Sequence, residues 1–392
     1  MNLEKNLAKR TWPVKPGYAA ERYSSGVSEG TLINRALRLF QSVSEPIPAG
    51  ECAITSLCCG ENGKIYGATS GKRSHLFFYD PFAGVCDVCV PEGAGSIRNA
   101  LVAGKDGMIF GGISEGTEGY LFSYDSRSDR MRDTHMIDYG VSSNDRIERL
   151  TVPVRKETIG CMVIDKERDI LYGISRASGT LFAYNIAKRS VSIKGTIDKN
   201  GLFSETLVMT PNGKVYCCGG SGSLLEYNPD EDTLKELSVY LPTVAGRSFY
   251  NKLQAAVYNP YDGLIYASGS ADGVLFAFNP ADYSMRTIGK VTAEAGCPAV
   301  TAGNDGKIYG ISGEPGGMAH LFCYDPETYS LADLGMPFAT SEIYWHGYEF
   351  SCACTGINGE IYLGESDRIS HLFIYFPRIP RKAPSNTRSI QD

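Results

Sequence analysis

Histidine and tryptophan are scarce in this chain, with five and two among 392 residues, so any chemistry that needs an imidazole draws on a short list. Positive charge is not in excess. Lys and Arg number 38 against 44 Asp and Glu, a formal charge of -6, which gives no reason to expect nucleic acid or an anionic membrane as partner. No apolar run approaches the roughly 20 residues that span a bilayer. The N-terminal MNLEKNLAKRTWPV has no apolar h-region, so a cytoplasmic location is expected, or a secreted one if a signal precedes this sequence. A structural zinc site also lacks its parts: Cys86 and Cys89 form a CxxC with no partner pair at suitable spacing. The twelve cysteines mostly fall in strand-like runs (Cys58, Cys59, Cys217, Cys218, Cys323, Cys352, Cys354), where they read as small buried hydrophobes, and free buried thiols favour a reducing compartment.

What the chain does have is a hexapeptide in seven copies. HLFFYD opens at His75. The others open at Tyr120 (YLFSYD), Thr180 (TLFAYN), Ser223 (SLLEYN), Val274 (VLFAFN), His320 (HLFCYD) and His371 (HLFIYF). From shared leucine to shared leucine the spacings are 45, 60, 43, 51, 46 and 51 residues. A period of roughly 40–50 residues with several short strands per unit predicts an all-β fold, a seven-bladed β-propeller of four-stranded blades. Each unit reads strand a, an Asn-Gly or Asp-Gly turn expected to be type I′, strand b with an aliphatic-aromatic pair such as Ile65-Tyr66, a loop, strand c (the hexapeptide), a polar turn and strand d. Blade 3 has Arg168-Asp169 at its first turn and needs one that is longer or of another type. Alternation along strand c sends Leu76 and Phe78 to one face and Phe77 and Tyr79 to the other. Both faces are apolar, as in a blade sandwiched between two others.

Residues 1–30 read as an N-terminal arm, 31–377 as the propeller and 378–392 as a basic tail. Leu37 to Val43 resembles a fourth strand, and the last repeat lacks one, so an N-terminal strand is expected to complete the last blade and close the ring. His135 is placed on strand d of blade 2 as a structural residue. The a–b and c–d turns then share one end of the ring. The b–c loops and d-to-a connections share the other, to which the length variation is assigned, and long irregular loops at one rim are where function usually sits.

Candidate residues follow from that geography. The connection Tyr139–Ile159 carries Asn144, Asp145, Arg146, Arg149 and Arg155. Tyr240–Lys252 carries Arg247, Tyr250, Asn251 and Lys252. Met336–Phe350 carries Tyr344, Trp345, His346 and Tyr348. Arg98 leads into blade 2, Arg73 stands beside His75, and Arg368 lies in the b–c loop of blade 7. Aromatic rings stack on sugars and arginine forks match carboxylates, so an acidic oligosaccharide or polysaccharide is the expected partner. His75, His320 and His371 all open strand c, in three ring-adjacent blades, with His346 above the middle one. Equivalent strand-c positions on adjacent blades are on the order of 10 Å apart or more. Zinc or manganese ligands must each lie about 2 Å from the ion, so these histidines do not easily share a metal, and acid–base work fits better.

The repeat GKIYG…HLFxYDP, at Gly63–Pro81 and Gly306–Pro326, resembles the kelch-like seven-bladed propellers that include ulvan, oligogalacturonate and rhamnose–glucuronate lyases. The resemblance spans nearly all of 50–377. It implies β-elimination at a uronic acid, with His346 and His371 as the two histidines of the pattern and Tyr250 and Arg247 as the Tyr and Arg partners. In that reading His75, Arg73, Arg98, Arg149, His320, Tyr344, Trp345, Asn251, Lys252 and Arg368 bind substrate. Oligogalacturonate lyases use a histidine-bound manganese. A divalent metal (Mn or Ca) therefore stays open as a cofactor, with no ligand assigned. Two other readings remain: a non-enzymatic propeller that binds a protein or glycan on its rim, and a glycoside hydrolase. The latter needs two carboxylates from Glu314, Glu342, Glu349, Glu365 and Asp367, with Glu365 and Arg368 the first pair to test.

Overall fold

The computed structural model describes residues 25–37, 47–80, 85–89, 95–128, 147–198, 200–220, 222–243, 246, 250–314, 316–340 and 343–378. They form seven antiparallel sheets and, among the described residues, no α-helix. Blade 1 is Ala53–Cys59, Ile65–Ser70, Leu76–Asp80 and Val85–Cys89. Blade 2 is Leu101–Ala103, Met108–Glu115, Glu118–Asp125 and Ile147–Thr151; blade 3 is Ile159–Asp165, Ile170–Ser175, Thr180–Asn185 and Ser190–Thr196. Blade 4 is Val208–Met209, Val215–Cys218, Ser223–Asn228 and Thr233–Tyr240; blade 5 is Leu253–Tyr258, Ile265–Gly269, Leu275–Phe278 and Met285–Gly289. Blade 6 is Ala299–Ala302, Ile308–Ser312, His320–Asp325 and Ser330–Ala339. Blade 7 is Phe350–Thr355, Ile361–Glu365, His371–Phe376 and the N-terminal Thr31–Ala36. The chain is a seven-bladed β-propeller closed by its N-terminal strand.

The repeated aromatics explain why the blades stack. The strand-b ring of one blade meets the strand-c ring of the next at the same place in six interfaces. These are Tyr66–Tyr124, Tyr172–Tyr227, Tyr216–Phe278, Tyr266–Tyr324, Tyr309–Tyr375 and Tyr362–Tyr79, with centroids 5.4–6.1 Å apart and tilted or edge-on. Tilted and edge-on geometries satisfy the ring quadrupoles, and each large ring buries apolar area on both sides. The last contact of the set joins blade 7 to blade 1, so ring closure uses the same packing unit as five other interfaces.

Four details differ from the sequence reading. The closing strand is Thr31–Ala36, paired residue for residue with His371–Phe376, not the segment 37–43, of which 38–43 lie outside the described residues. An outermost strand is covered on one edge only, so its apolar pattern is weak and two adjacent segments fit it equally. Within the expected arm, Ser25–Val27 is a further strand, paired with Ser330–Ala339 of blade 6. Strand d of blade 2 is Ile147–Thr151, inside what reads as a d-to-a connection; His135 lies outside the described residues. The extra residues of the 60-residue repeat therefore sit between strands c and d (Asp125 to Ile147), at the end expected to hold only tight turns. Finally, both central residues take positive φ only at Asp106-Gly107 (53° and 73°), whereas at Asn62-Gly63 only the glycine does (78°). There Gly63 N bonds Gly60 O and Gly60 N bonds Lys64 O, a type I turn ending in a left-handed glycine. The blade 3 turn, 166–169, is no longer than the others; it differs in type, with Asp169 rather than a glycine at positive φ (54°).

Strands a face the axis. Residues on or just before strand a of all seven blades, Ser56, Leu101, Cys161, Leu207, Ala255, Val300 and Ser351 among them, line an axial cavity of about 180 Å³. The ten described cysteines are free, seven of them buried; the side chains of Cys86 and Cys89 lie outside the described set. Burial pushes the thiol of Cys297 up to about 12, as expected for packing residues.

Candidate functional site

The three histidines that open strand c are each committed to a carboxylate of their own. His371 Nδ1 lies 2.9 Å from Glu365 Oε2, and both residues are fully buried. The same carboxylate accepts the His371 backbone N–H at 2.8 Å and the Trp345 indole N–H at 3.0 Å. The indole also lies against the imidazole, centroids 4.2 Å apart. Burial raises the pKa of Glu365, while the hydrogen bonds from His371 and Trp345 oppose that rise. His75 Nε2 lies 2.9 Å from Glu51 Oε2, with the imidazole 7% exposed. His320 Nδ1 meets Asp333 at 2.9 Å in a partly exposed cross-strand pair. Nδ1 of His75 and Nε2 of His371 have no hydrogen-bond partner among the described residues. No group of three or more His, Cys, Asp or Glu among the described residues is arranged to hold a metal ion. Three carboxylates from three different elements divide the imidazoles into separate pairs.

His346 is placed differently. It sits on a two-residue strand, Trp345–His346, laid against the end of strand d of blade 6 through Phe338 and Ala339. Its ring touches Tyr348 at 4.5 Å and Phe338 at 6.4 Å, and partial burial lowers its pKa below the ordinary histidine value. Tyr344, 73% exposed, packs edge-on to Phe338 at 4.9 Å.

The mouth of the axis on the rim of b–c loops and d-to-a connections holds the largest concavity among those described, about 560 Å³. Its charged lining comes from Arg98 and Arg176, Glu205, Asp367 and Arg368. Arg176 is neutralised by a two-point pair to Glu205, with N···O distances of 2.8 and 2.7 Å. Arg98 and Arg368 are exposed and have no ion pair among the described residues. Arg368 sits on an anchored loop. Its carbonyl accepts the Gly50 N–H at 2.9 Å and the Cys52 thiol at 3.1 Å, and its own N–H is capped by Asp367. Arg98 precedes Asn99, whose left-handed φ of 46° turns the chain at the mouth and whose N–H is tied to Thr55 O.

The other expected site residues are scattered. Arg149 is on strand d of blade 2 with its guanidinium 4.0 Å over the Tyr120 ring, and Arg155 is exposed on the connection into blade 3. Asn251 is fully buried and spent on backbone: it donates to Pro242 O and accepts from Ala271 N. Lys252 is half-buried, Tyr250 is 45% exposed, and Arg73 is exposed beside Ser74. Arg247, Asn144, Asp145, Arg146 and Glu342 lie outside the described residues. Sequence reasoning missed Arg176, Glu205, Glu51 and Asp333. Arg176 directly follows strand b of blade 3 and Glu205 lies just before strand a of blade 4, both at the rim end, positions the repeat alignment marks, and that signal was available.

No protein-family model matches the chain, and no curated protein does. Solved structures do. An extracellular domain from B. thetaiotaomicron, described as part of a one component system, superposes with a TM-score of 0.59 at 12% identity, covering 87% of this chain and 39% of that one. The chain thus spans well under half the length of that protein. Streptogramin B lyase superposes with a TM-score of 0.62 at 12% identity, covering 88% and 98% of the two chains. A chain of the mitotic checkpoint complex gives 0.59 at 13% identity, covering 94% and 97%. At these identities the likeness is one of fold: an extracellular domain of a one component system, a lyase and a chain of a checkpoint complex share it, so function must be argued from the site itself.

Proposed function

We propose that this propeller binds a carboxylated saccharide, a short acidic glycan, in the funnel at the rim end of its axis. The observation that carries this reading is the pair Arg98 and Arg368. These two exposed guanidinium groups have no ion pair among the described residues. They stand on anchored backbone around a cavity of about 560 Å³, within the size range of small-ligand sites. A guanidinium offers a planar fork that fits a carboxylate at two points. Glu205 and its bonded Arg176 supply a polar wall for hydroxyl groups. The test is binding of galacturonate and glucuronate oligosaccharides, against neutral oligosaccharides of equal length, by calorimetry. Equal affinity for neutral and acidic ligands sinks the proposal.

A second reading adds chemistry to the binding: β-elimination at a uronate. His346 favours it, because its lowered pKa keeps the imidazole neutral near pH 7 and so able to accept a proton. In that reaction an arginine holds the carboxylate, the base takes the proton at C5, and the C4–oxygen bond breaks. The leaving oxygen takes a proton and a C4–C5 double bond remains. The fold accommodates a lyase, as the name of one similar structure states. The buried His371 then serves through Glu365 and Trp345, since its side chain has no exposed surface to offer a substrate. Incubation with pectic, ulvan and glycosaminoglycan substrates, followed by ultraviolet absorbance of the unsaturated uronate, decides this reading. A flat trace on all of them leaves the binding function alone.

A further inference from the structure

We infer that the aromatic hairpin over blade 7 is a second subsite, which stacks a pyranose ring of the glycan whose carboxylate the funnel holds; the inference rests on that reading of the funnel. Tyr344 and Tyr348 are 73% and 45% exposed, and they join His346 and Phe338 in one continuous group of rings. Exposed rings of this size forgo the burial that drives folding, and a contiguous set of them marks a contact surface.

The rings are mounted rigidly. Trp345 and His346 pair with the end of strand d of blade 6, Gly347 N bonds Pro337 O at 2.9 Å, and Asn34 Nδ2 of the closing strand bonds Ile343 O at 2.8 Å. The Trp345 indole is fixed to buried Glu365. That same glutamate begins the run Glu365-Ser366-Asp367-Arg368, and Ser366 N bonds Glu349 O at 2.8 Å, one residue beyond Tyr348. The hairpin and the arginine loop therefore flank one buried carboxylate, and the platform is continuous with the funnel wall.

The chemistry of the rings selects the occupant. Tyrosine and histidine carry polar tips on flat faces, which suits a sugar ring with apolar C–H faces and equatorial hydroxyls. The apolar hairpin of leucine or isoleucine that a protein or lipid partner favours is not present at these positions. A glycan long enough to reach from Arg368 to Tyr344 gains from both subsites; a single uronate gains from one.

The test uses the full chain carrying Trp12→Phe, so that Trp345 is the sole tryptophan. Galacturonate and its hexasaccharide, with cellohexaose as the neutral control, are titrated by fluorescence and calorimetry. The hexasaccharide is expected to bind more tightly than the monosaccharide and to perturb Trp345. Tyr344→Ala and Tyr348→Ala each remove about three- to tenfold of the hexasaccharide affinity and leave the monosaccharide unchanged. Hexasaccharide affinity that equals that of the monosaccharide, or that ignores both tyrosine substitutions, overturns the platform. Failure of the funnel has its own sign: Arg98→Ala and Arg368→Ala leave uronate binding intact, while cellohexaose still perturbs Trp345 in a Tyr344-dependent way.

Discussion

Glu365 is the residue on which the blade 7 sector turns. It is a fully buried carboxylate with three donors: the His371 imidazole, the His371 backbone and the Trp345 indole. Removing one partner of a buried, hydrogen-bonded pair leaves the other uncompensated, at about 3–5 kcal/mol. Glu365→Ala is expected to destabilise the protein by that amount in urea unfolding, with Glu365→Gln costing less because an amide oxygen still accepts. Indistinguishable midpoints for wild type and Glu365→Ala contradict the geometry. His346 gives a pH signature of its own. Burial depresses its folded-state pKa, so as pH falls from about 6.5 the unfolded chain takes up a proton before the folded one does. The associated stability is present above that pH and is lost below it. His346→Phe should flatten this part of the stability–pH curve, and NMR titration of the ring should show a midpoint below the ordinary histidine value.

At the scale of the strand, the closing element was partly legible and partly not. That an N-terminal segment completes blade 7 followed from counting strands; which segment did not. Thr31–Ala36 pairs along its whole length with His371–Phe376, and its Leu32, Asn34 and Ala36 are buried. A chain beginning at residue 47 therefore leaves blade 7 with an open edge and is expected to aggregate or to melt far below the full chain. A chain beginning at residue 25 retains the pairing and should fold. Equal melting temperatures for the two refute the closure. The hexapeptides were fully legible, because strand c is buried on both faces and its aromatics recur at fixed offsets. Strand d of blade 2 was hidden behind an irregular segment, so Arg149 was read as a loop residue when it packs on Tyr120. The histidine partners were hidden for a different reason. Glu51 lies 24 residues from His75, and Asp333 13 from His320, so only the folded blade brings them together.

At the scale of the whole molecule, seven equivalent blades produce one unequal face. The recurring geometry of ring-to-ring packing leaves the axis mouth as the place where blade-specific residues converge, and there Arg98 of the blade 2 connection and Arg368 of blade 7 line one cavity. The three strand-c histidines are each tied to a carboxylate, and the exposed groups near the blade 7 histidine are the guanidinium of Arg368 and the phenols of Tyr344 and Tyr348. The mouth's lining, three arginines against Glu205 and Asp367 among the described residues, carries an excess of positive charge in a chain of net charge -6 and predicts salt sensitivity: affinity for an acidic ligand should fall as ionic strength rises, while a neutral ligand is unaffected.

Calorimetric titration of trigalacturonate into wild type, Arg98→Ala and Arg368→Ala tests the funnel most directly. A charge-assisted hydrogen bond contributes about 1.5–3 kcal/mol. Each substitution should therefore weaken binding by roughly 10- to 100-fold with the fold intact by circular dichroism. Wild-type affinity in both variants, or no binding of any acidic glycan by the wild type, contradicts a carboxylate site at the axis mouth.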